Sequence, residues 1–277
     1  MMSIETENNN NKPRAVILRT AGTNCAYETQ YALEKAGADV DLMHVNQLVR
    51  GKGLLKPYHI FVLPGGFTYG DDIAAGKVLA NQLRQHILDE LMRFIDDGKL
   101  IIGICNGFQV LMKMGLLPDV KGTQTSLPGG KQRFTLTYND SNKFEDRWVY
   151  LKSASNKSII VDNDSVMYVP IAHAEGKFVA ENREDIEKLD KSGQIVFKYV
   201  DKDGNMAAYP WNPNGSSGNI AGVCDSTGRV LGMMPHPERH IDPTQHPRWT
   251  REGLKAEGDG IAIFRNAVNY ISRTFSS

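Results

Sequence analysis

The sequence predicts an α/β fold, a doubly wound and mostly parallel sheet with helices on both faces and antiparallel strands added at its edge. Three observations predict it. Short apolar runs alternate with longer stretches at helical spacing through residues 15–114. Several of those runs stop at glycine turns, as at Gly22, Gly65-Gly66 and Gly103 to Gly107. From Arg133 to Val200 the pattern changes to shorter alternating runs with polar turns between them, which suits antiparallel strands.

Ala15 to Leu18 reads as the first strand, and Tyr27 to Ala36 as a helix stopped by Gly37. Val40 to His44 and Ile60 to Leu63 are the next two strands. Lys77 to Asp97 carries Leu79, Leu83, Ile87, Leu91 and Phe94 at roughly helical spacing, so one face is apolar. The run Leu100 to Ile104 is a strand, and the amphipathic stretch Phe108 to Met114 a helix. Phe134 to Tyr138 and Ile195 to Val200 are the clearest strands of the second pattern. The apolar runs Ile220 to Cys224 and Val230 to Met234 follow, the latter a buried strand, and Ile261 to Ile271 is a closing helix with one apolar side. There is no internal repeat and no linker. Residues 1–12, polar and asparagine-rich, read as a disordered tail, and residues 13–277 as a single domain.

Composition narrows the function. A chain of 277 residues with 41% hydrophobic content can bury a sizeable core. The 32 basic residues balance 32 acidic ones and form few clusters, so the electrostatic footprint of a nucleic-acid binder is missing. No apolar run approaches the roughly 20 residues of a membrane span, and the polar start does not read as a signal peptide. Three widely separated cysteines argue against a disulfide framework and for a reducing compartment, with the cytoplasm as the default.

Chemistry gathers at Cys105. Gly103-Ile104-Cys105-Asn106-Gly107 joins a strand to a helix, the arrangement of a nucleophile elbow with cysteine in place of serine. Its flanking glycines are expected to let the chain turn tightly, with a helix N-terminus beneath the sulfur supporting negative charge. A nucleophile needs a base, and a base needs an orienting group. Pro235-His236-Pro237-Glu238-Arg239 offers both, because two prolines restrict the backbone around His236 and Glu238 stands two positions on. The relay read here is Cys105, His236, Glu238. The backbone amides of Gly66, in Pro64-Gly65-Gly66-Phe67, and of Asn106 are the candidates for an oxyanion hole.

The remaining signals weigh less. Cys25, after the turn Gly22-Thr23-Asn24, is the rival nucleophile, although it lacks a histidine motif of its own. Cys224, inside an apolar run, reads as a packing cysteine. His44, His59, His86, His240 and His246 read as structural or solvated. Gly70 to Val78 imitates a phosphate loop but has the wrong glycine spacing and no hydroxyl residue after Lys77. Asp71 and Asp72 read as charges at a helix N-terminus, and no metal is expected in this chain.

Taken together, Gly103-x-Cys105-x-Gly107-x-Gln109, Pro64-Gly65-Gly66-Phe67-x-Tyr69-Gly70-Asp71 and Pro235-His236-Pro237-Glu238-Arg239 resemble class I glutamine amidotransferases. Gly22-Thr23-Asn24-Cys25, Ile171 to Phe178 and Asn212-Pro213-Asn214-Gly215-Ser216 are similar, more narrowly, to the glutaminase-subunit family of phosphoribosylformylglycinamidine synthases. The resemblance runs from about Arg14 to Tyr270. It implies that Cys105 attacks the side-chain amide of glutamine, that His236 protonates the departing ammonia and that Glu238 orients His236. It also implies that Gln109 contacts bound glutamine, with His173 and Glu175 bordering the same pocket. Further, it implies a larger synthetase subunit that holds ATP and magnesium, a small accessory subunit, and no cofactor in this chain. The sequence departs from the family pattern at Ala174, where glycine is common, and over residues 241–260. A glutaminase of another synthetase and a partner-independent cysteine hydrolase of the same fold are the alternatives.

Overall fold

The computed structural model describes residues 12–118, 132–164 and 166–275. Apart from Lys12, the expected tail lies outside the described residues. In chain order the elements are β1 (Arg14–Arg19), α1 (Ala26–Lys35), β2 (Asp39–His44), α2 (Val45–Arg50), β3 (Ile60–Leu63), α3 (Lys77–Asp96), β4 (Leu100–Ile104) and α4 (Asn106–Met114). Then follow β5 (Phe134–Thr137), β6 (Glu145–Ser153), β7 (Val166–His173), β8 (Lys177–Ala180), α5 (Arg183–Lys191), β9 (Ile195–Val200), β10 (Ile220–Cys224), β11 (Val230–Met233), α6 (Trp249–Glu252) and α7 (Ile261–Phe275).

Nine strands form one sheet in the order β2-β1-β3-β4-β11-β10-β9-β6-β7. From β2 to β11 the neighbours run parallel. From β11 to β7 they run antiparallel. Strands β3, β4, β10 and β11 are buried along their whole length, which is why they read as continuous apolar runs rather than alternating ones. The crossover from β1 leads one way along the sheet to β2, and that from β3 leads the other way to β4. Right-handed crossovers therefore put α1 and α3 on opposite faces. Helix α1 packs with α7, and α3 packs with α4 and α2.

Two features differ from the sequence reading. Strands β5 and β8 do not join the sheet edge; they pair as a separate antiparallel ribbon, turning Phe134, Leu136 and Phe178 inward. Strand β7, last in the sheet order, curls back towards the parallel half, and Pro170 O accepts a 2.8 Å hydrogen bond from His236 N. Helix α2 escapes a periodicity search because it is short and held by its cap: His44 Nδ1 accepts from Asn46 N, and Gln47 Oε1 accepts from His44 N. No helix among the described residues is long and apolar enough to cross a membrane.

Candidate active site

Strands β1, β3, β4 and β11 are parallel neighbours, so the turns that follow them meet at one edge of the sheet, where open α/β sheets gather their ligands. Cys105 leaves β4 at φ 51° and ψ −105° and opens α4. A non-glycine residue held there stores about 1–3 kcal/mol of strain. The turn is thus made by Cys105 itself and not by its flanking glycines. Gly103 and Gly107 serve close packing instead. A Cβ on Gly107 would lie 1.9 Å from Leu63 O, and one on Gly103 would lie 2.5 Å from Leu111 Cδ1.

His236 and Glu238 meet behind the elbow, His236 Nδ1 lying 2.6 Å from Glu238 Oε1, with both side chains buried. Burial alone would push the imidazolium's pKa down. The charge of Glu238, then that of Cys105, more than reverse this, and the proton affinity of His236 ends well above the usual histidine range. With Nδ1 turned to the carboxylate, the other ring nitrogen, Nε2, is left buried and unpartnered.

Asn106 is more than a candidate amide donor. Its side-chain oxygen accepts from Thr68 Oγ1 at 2.7 Å and from Thr68 N at 3.3 Å, and its Nδ2 donates to Gln109 Oε1 at 2.9 Å and to Asp71 Oδ1 at 3.1 Å. One side chain thereby ties the loop after Gly66 to the elbow. The sequence reading credited Asn106 with a backbone role only, and its place between two glycines gave no hint of the rest. Gln109 Nε2 donates to Glu175 O at 2.7 Å, and the Glu175 carboxylate accepts from Ala75 N. His173 is fully buried, with Nδ1 3.1 Å from Asn139 Oδ1. Burial, helped by the neighbouring His236, pushes its pKa down to about 3, so it is neutral. Gly66, Asp71, Cys105, Gln109, His173 and Glu175 all line one cavity of about 40 Å³, room for water but not for an amino acid. Of the residues read as candidates, Gly66, Cys105, Gln109, His173 and Glu175 share this cavity, while Asn106, His236 and Glu238 lie outside its wall.

Cys25 also arrives here, which the sequence reading did not foresee. Its Sγ lies 3.9 Å from His236 Nδ1 and accepts a 3.1 Å hydrogen bond from Arg239 Nη2. Burial pushes its pKa up despite His236 and Arg239. Cys25, His236 and Glu238 offer ligand atoms within 4.8 Å of one another, a set that could hold a metal ion. The guanidinium on the sulfur opposes a cation at that place. Gly65 has no room for a Cβ, which would lie 2.6 Å from His236 Cε1 and 3.0 Å from Cys25 Sγ.

Residues 12–271 match the CobB/CobQ-like glutamine amidotransferase domain family. The chain is 45% identical over 261 residues to phosphoribosylformylglycinamidine synthase subunit PurQ of Dehalococcoides mccartyi, covering 94% of this chain and 98% of that protein. It is 42% identical over 273 residues to the same subunit of Archaeoglobus fulgidus, covering 94% and 97%. Among solved structures it is similar to a chain of PurLQS from Thermotoga maritima, with a TM-score of 0.68 and 31% identity over 94% of this chain and 99% of that one. A glutamine amidotransferase of the same organism, 15% identical with a TM-score of 0.55 over 95% and 99% of the two chains, shares the fold.

Proposed function

This chain belongs to the CobB/CobQ-like glutamine amidotransferase family, and from that premise we propose the reaction and the part each residue takes in it. The chain is the glutaminase subunit of a phosphoribosylformylglycinamidine synthase, releasing ammonia from glutamine for purine biosynthesis. The observation that carries the residue roles is the strained Cys105 elbow, in a cavity wall beside the His236–Glu238 pair.

Cys105 passes its thiol proton to His236 Nε2, and its Sγ attacks the side-chain carbonyl carbon of glutamine. The oxygen becomes negative and is held by the amides of Gly66 and Asn106. His236, whose proton is favoured by Glu238, delivers it from Nε2 to the nitrogen, and ammonia leaves a thioester on Cys105. Water, deprotonated by His236, then attacks the thioester and releases glutamate and the thiol. Glu238 keeps Nδ1 protonated and supports the positive ring, as in other triads. Gln109, His173 and Glu175 border the glutamine.

The partner is a larger synthetase subunit of the PurL type, with a small PurS-type subunit assisting. ATP and magnesium belong to that partner, because the amide oxygen of formylglycinamide ribonucleotide must be activated before ammonia can replace it. The cytoplasm is the compartment where this reaction belongs. A cavity of about 40 Å³ supports a subunit that is nearly silent alone. Docking would shift the Gly66 loop or the segment after Glu238 to admit glutamine, and unchanged hydrogen exchange of both segments in the complex would rule this out.

The roles are tested by intact-mass analysis after treatment with a glutamine-like diazo-ketone, with the synthetase partner present. Labelling lost in Cys105→Ala and kept in Cys25→Ala is the expected result. Loss in Cys25→Ala alone would move the nucleophile, and no labelling in the native complex would overturn the glutaminase roles.

A further inference from the structure

Strand β7 is last in the sheet, and an antiparallel edge strand turns the backbone groups of every second residue away from its neighbour. In β7 these residues are Tyr168, Pro170 and Ala172. Tyr168 O accepts from His240 Nδ1 at 2.7 Å, Pro170 O from His236 N at 2.8 Å, and Ala172 O from Cys105 Sγ at 3.7 Å. Successive rungs are two residues, about 7 Å, apart. One strand edge therefore carries the base, the nucleophile and a third residue that the proposed reaction does not use, His240.

His240 is fully buried, edge-on to Trp148, and separated from His236 by one short turn, Pro237–Arg239. A carbonyl oxygen only accepts, so the imidazole proton sits on Nδ1, and the approach of Asp259 N to that nitrogen at 3.4 Å is a contact and not a hydrogen bond. Nε2 is then a bare acceptor with no partner among the described residues. Burying it costs stability, and an apolar ring would fill the place without that cost. What the imidazole adds is the bond to Tyr168 O. Tyr168 N donates to Asp259 Oδ2 at 2.9 Å, so both backbone groups of Tyr168 are gripped from outside the sheet. The grip is close-packed. Gly258 N donates to Ile241 O and Gly260 N to His240 O, and a Cβ on Gly260 would lie 1.9 Å from Pro237 O. Residues 241–260, where the sequence departs from the family pattern, thus return to the strand that holds His236.

We propose that His240 and Asp259 are positioning residues for the glutaminase reaction: by fixing Tyr168 they fix the edge of β7, and with it the places of His236 and Cys105. The assignment rests on the glutaminase reading and extends it to two residues outside the wall of the cavity beside Cys105. The chemistry requires a proton to pass between His236 Nε2 and the reacting atoms, which tolerates little displacement. A loosened rung at Tyr168 lets the next rung, at Pro170, shift, and the His236 ring moves with it.

The test measures glutamate release by the assembled synthetase complex. His240→Phe keeps a ring in the pocket and removes the donor, whereas His240→Asn keeps a donor, its amide nitrogen standing near the place of Nδ1. His240→Phe is expected to lower kcat about tenfold to a hundredfold while the glutamine KM stays within about threefold, and His240→Asn to restore most of kcat. Asp259→Ala, which removes the other half of the grip, should lower kcat about threefold to tenfold, and in the double variant should add little to His240→Phe, because both act on one rung. Unchanged kcat in the folded His240→Phe and Asp259→Ala complexes would overturn the proposal. So would a loss carried by KM instead, or a His240→Asn variant as impaired as His240→Phe. Should His240→Phe not assemble, Asp259→Ala decides, and native kcat in that variant overturns the proposal. A native complex that releases no glutamate would instead remove the glutaminase reading, and this assignment with it.

Discussion

Two corners of the molecule look alike in sequence and differ in structure. In each, a parallel strand ends in a turn, a cysteine follows, and a helix begins: β1 to α1 at Cys25, and β4 to α4 at Cys105. Both sulfurs are buried, and both act on the same histidine. Cys25 has the relaxed backbone of φ −94° and ψ 13°, lies against Gly65 and Arg239, and approaches the ring nitrogen that Glu238 already engages. Cys105 has the strained backbone and lines the cavity, and the ring nitrogen left unpartnered is Nε2. On the proposed roles, proximity to His236 is therefore not what separates the nucleophile Cys105 from the packing thiol Cys25. Access to a cavity, and a backbone that points the sulfur into it, make the difference.

The sharpest way to break this comparison is to delete each sulfur in turn. Cys105→Ala should lower glutamate release by the complex about 10⁴-fold or more, while Cys25→Ala stays within a few-fold of native. A comparable loss from both would make the corners equivalent. Next in size is Glu238→Gln, expected to cost about 10³-fold in kcat. Because Glu238 is the largest influence raising the proton affinity of His236, the alkaline limb of the kcat profile should also move to lower pH. The sign for stability is the same. A histidine whose proton affinity is raised by folding stabilises the fold fully below its unfolded value of 6.5, and that contribution fades as pH rises through the folded value. In Glu238→Gln, thermal melts across this range should show a weaker loss with rising pH.

Gly65→Ala tests the wall that Cys25 and His236 share. The new methyl would lie 2.6 Å from His236 Cε1, so His236 must move, and activity should fall roughly tenfold to a hundredfold while the stability measured by denaturant unfolding drops by about 1–3 kcal/mol. The smallest effect concerns Cys25 itself. In a Cys105→Ala background its alkylation should be slow at neutral pH and quicken only in alkaline solution, because burial pushes its pKa up. Rapid labelling at pH 7 would contradict the packing assignment.

What was legible in the chain follows from this contrast. The fully buried strands announced themselves as apolar runs, and the residues read as a relay lie close in sequence to their turns: Cys105 after β4, His236 and Glu238 just after β11. Less legible was whatever depends on distant parts of the chain meeting. Cys25 and His236 are 211 positions apart, and nothing local tells that their strands end side by side. Strand β6, with Asp146, Arg147 and Lys152 between its apolar residues, gives a weak signal, and β7 shows its importance only when Pro170, Ala172 and His173 curl back to the site. The Asn106 side chain belongs to the same class, because its partners are chosen by the folded loop from Thr68 to Asp71.

The position of β11 also bears on how the molecule is made. It is the last strand of the sheet to leave the ribosome, yet it lies in the middle, between β4 and β10. Until Val230 to Met233 have been synthesised, the parallel and antiparallel halves are two separate pieces, each with an apolar strand edge unpaired. The elbow can be shaped early, but His236 arrives only after that gap is filled. A nascent chain therefore holds Cys105 in its elbow before His236 can join it, and the proposed relay is complete only once β11 is in place.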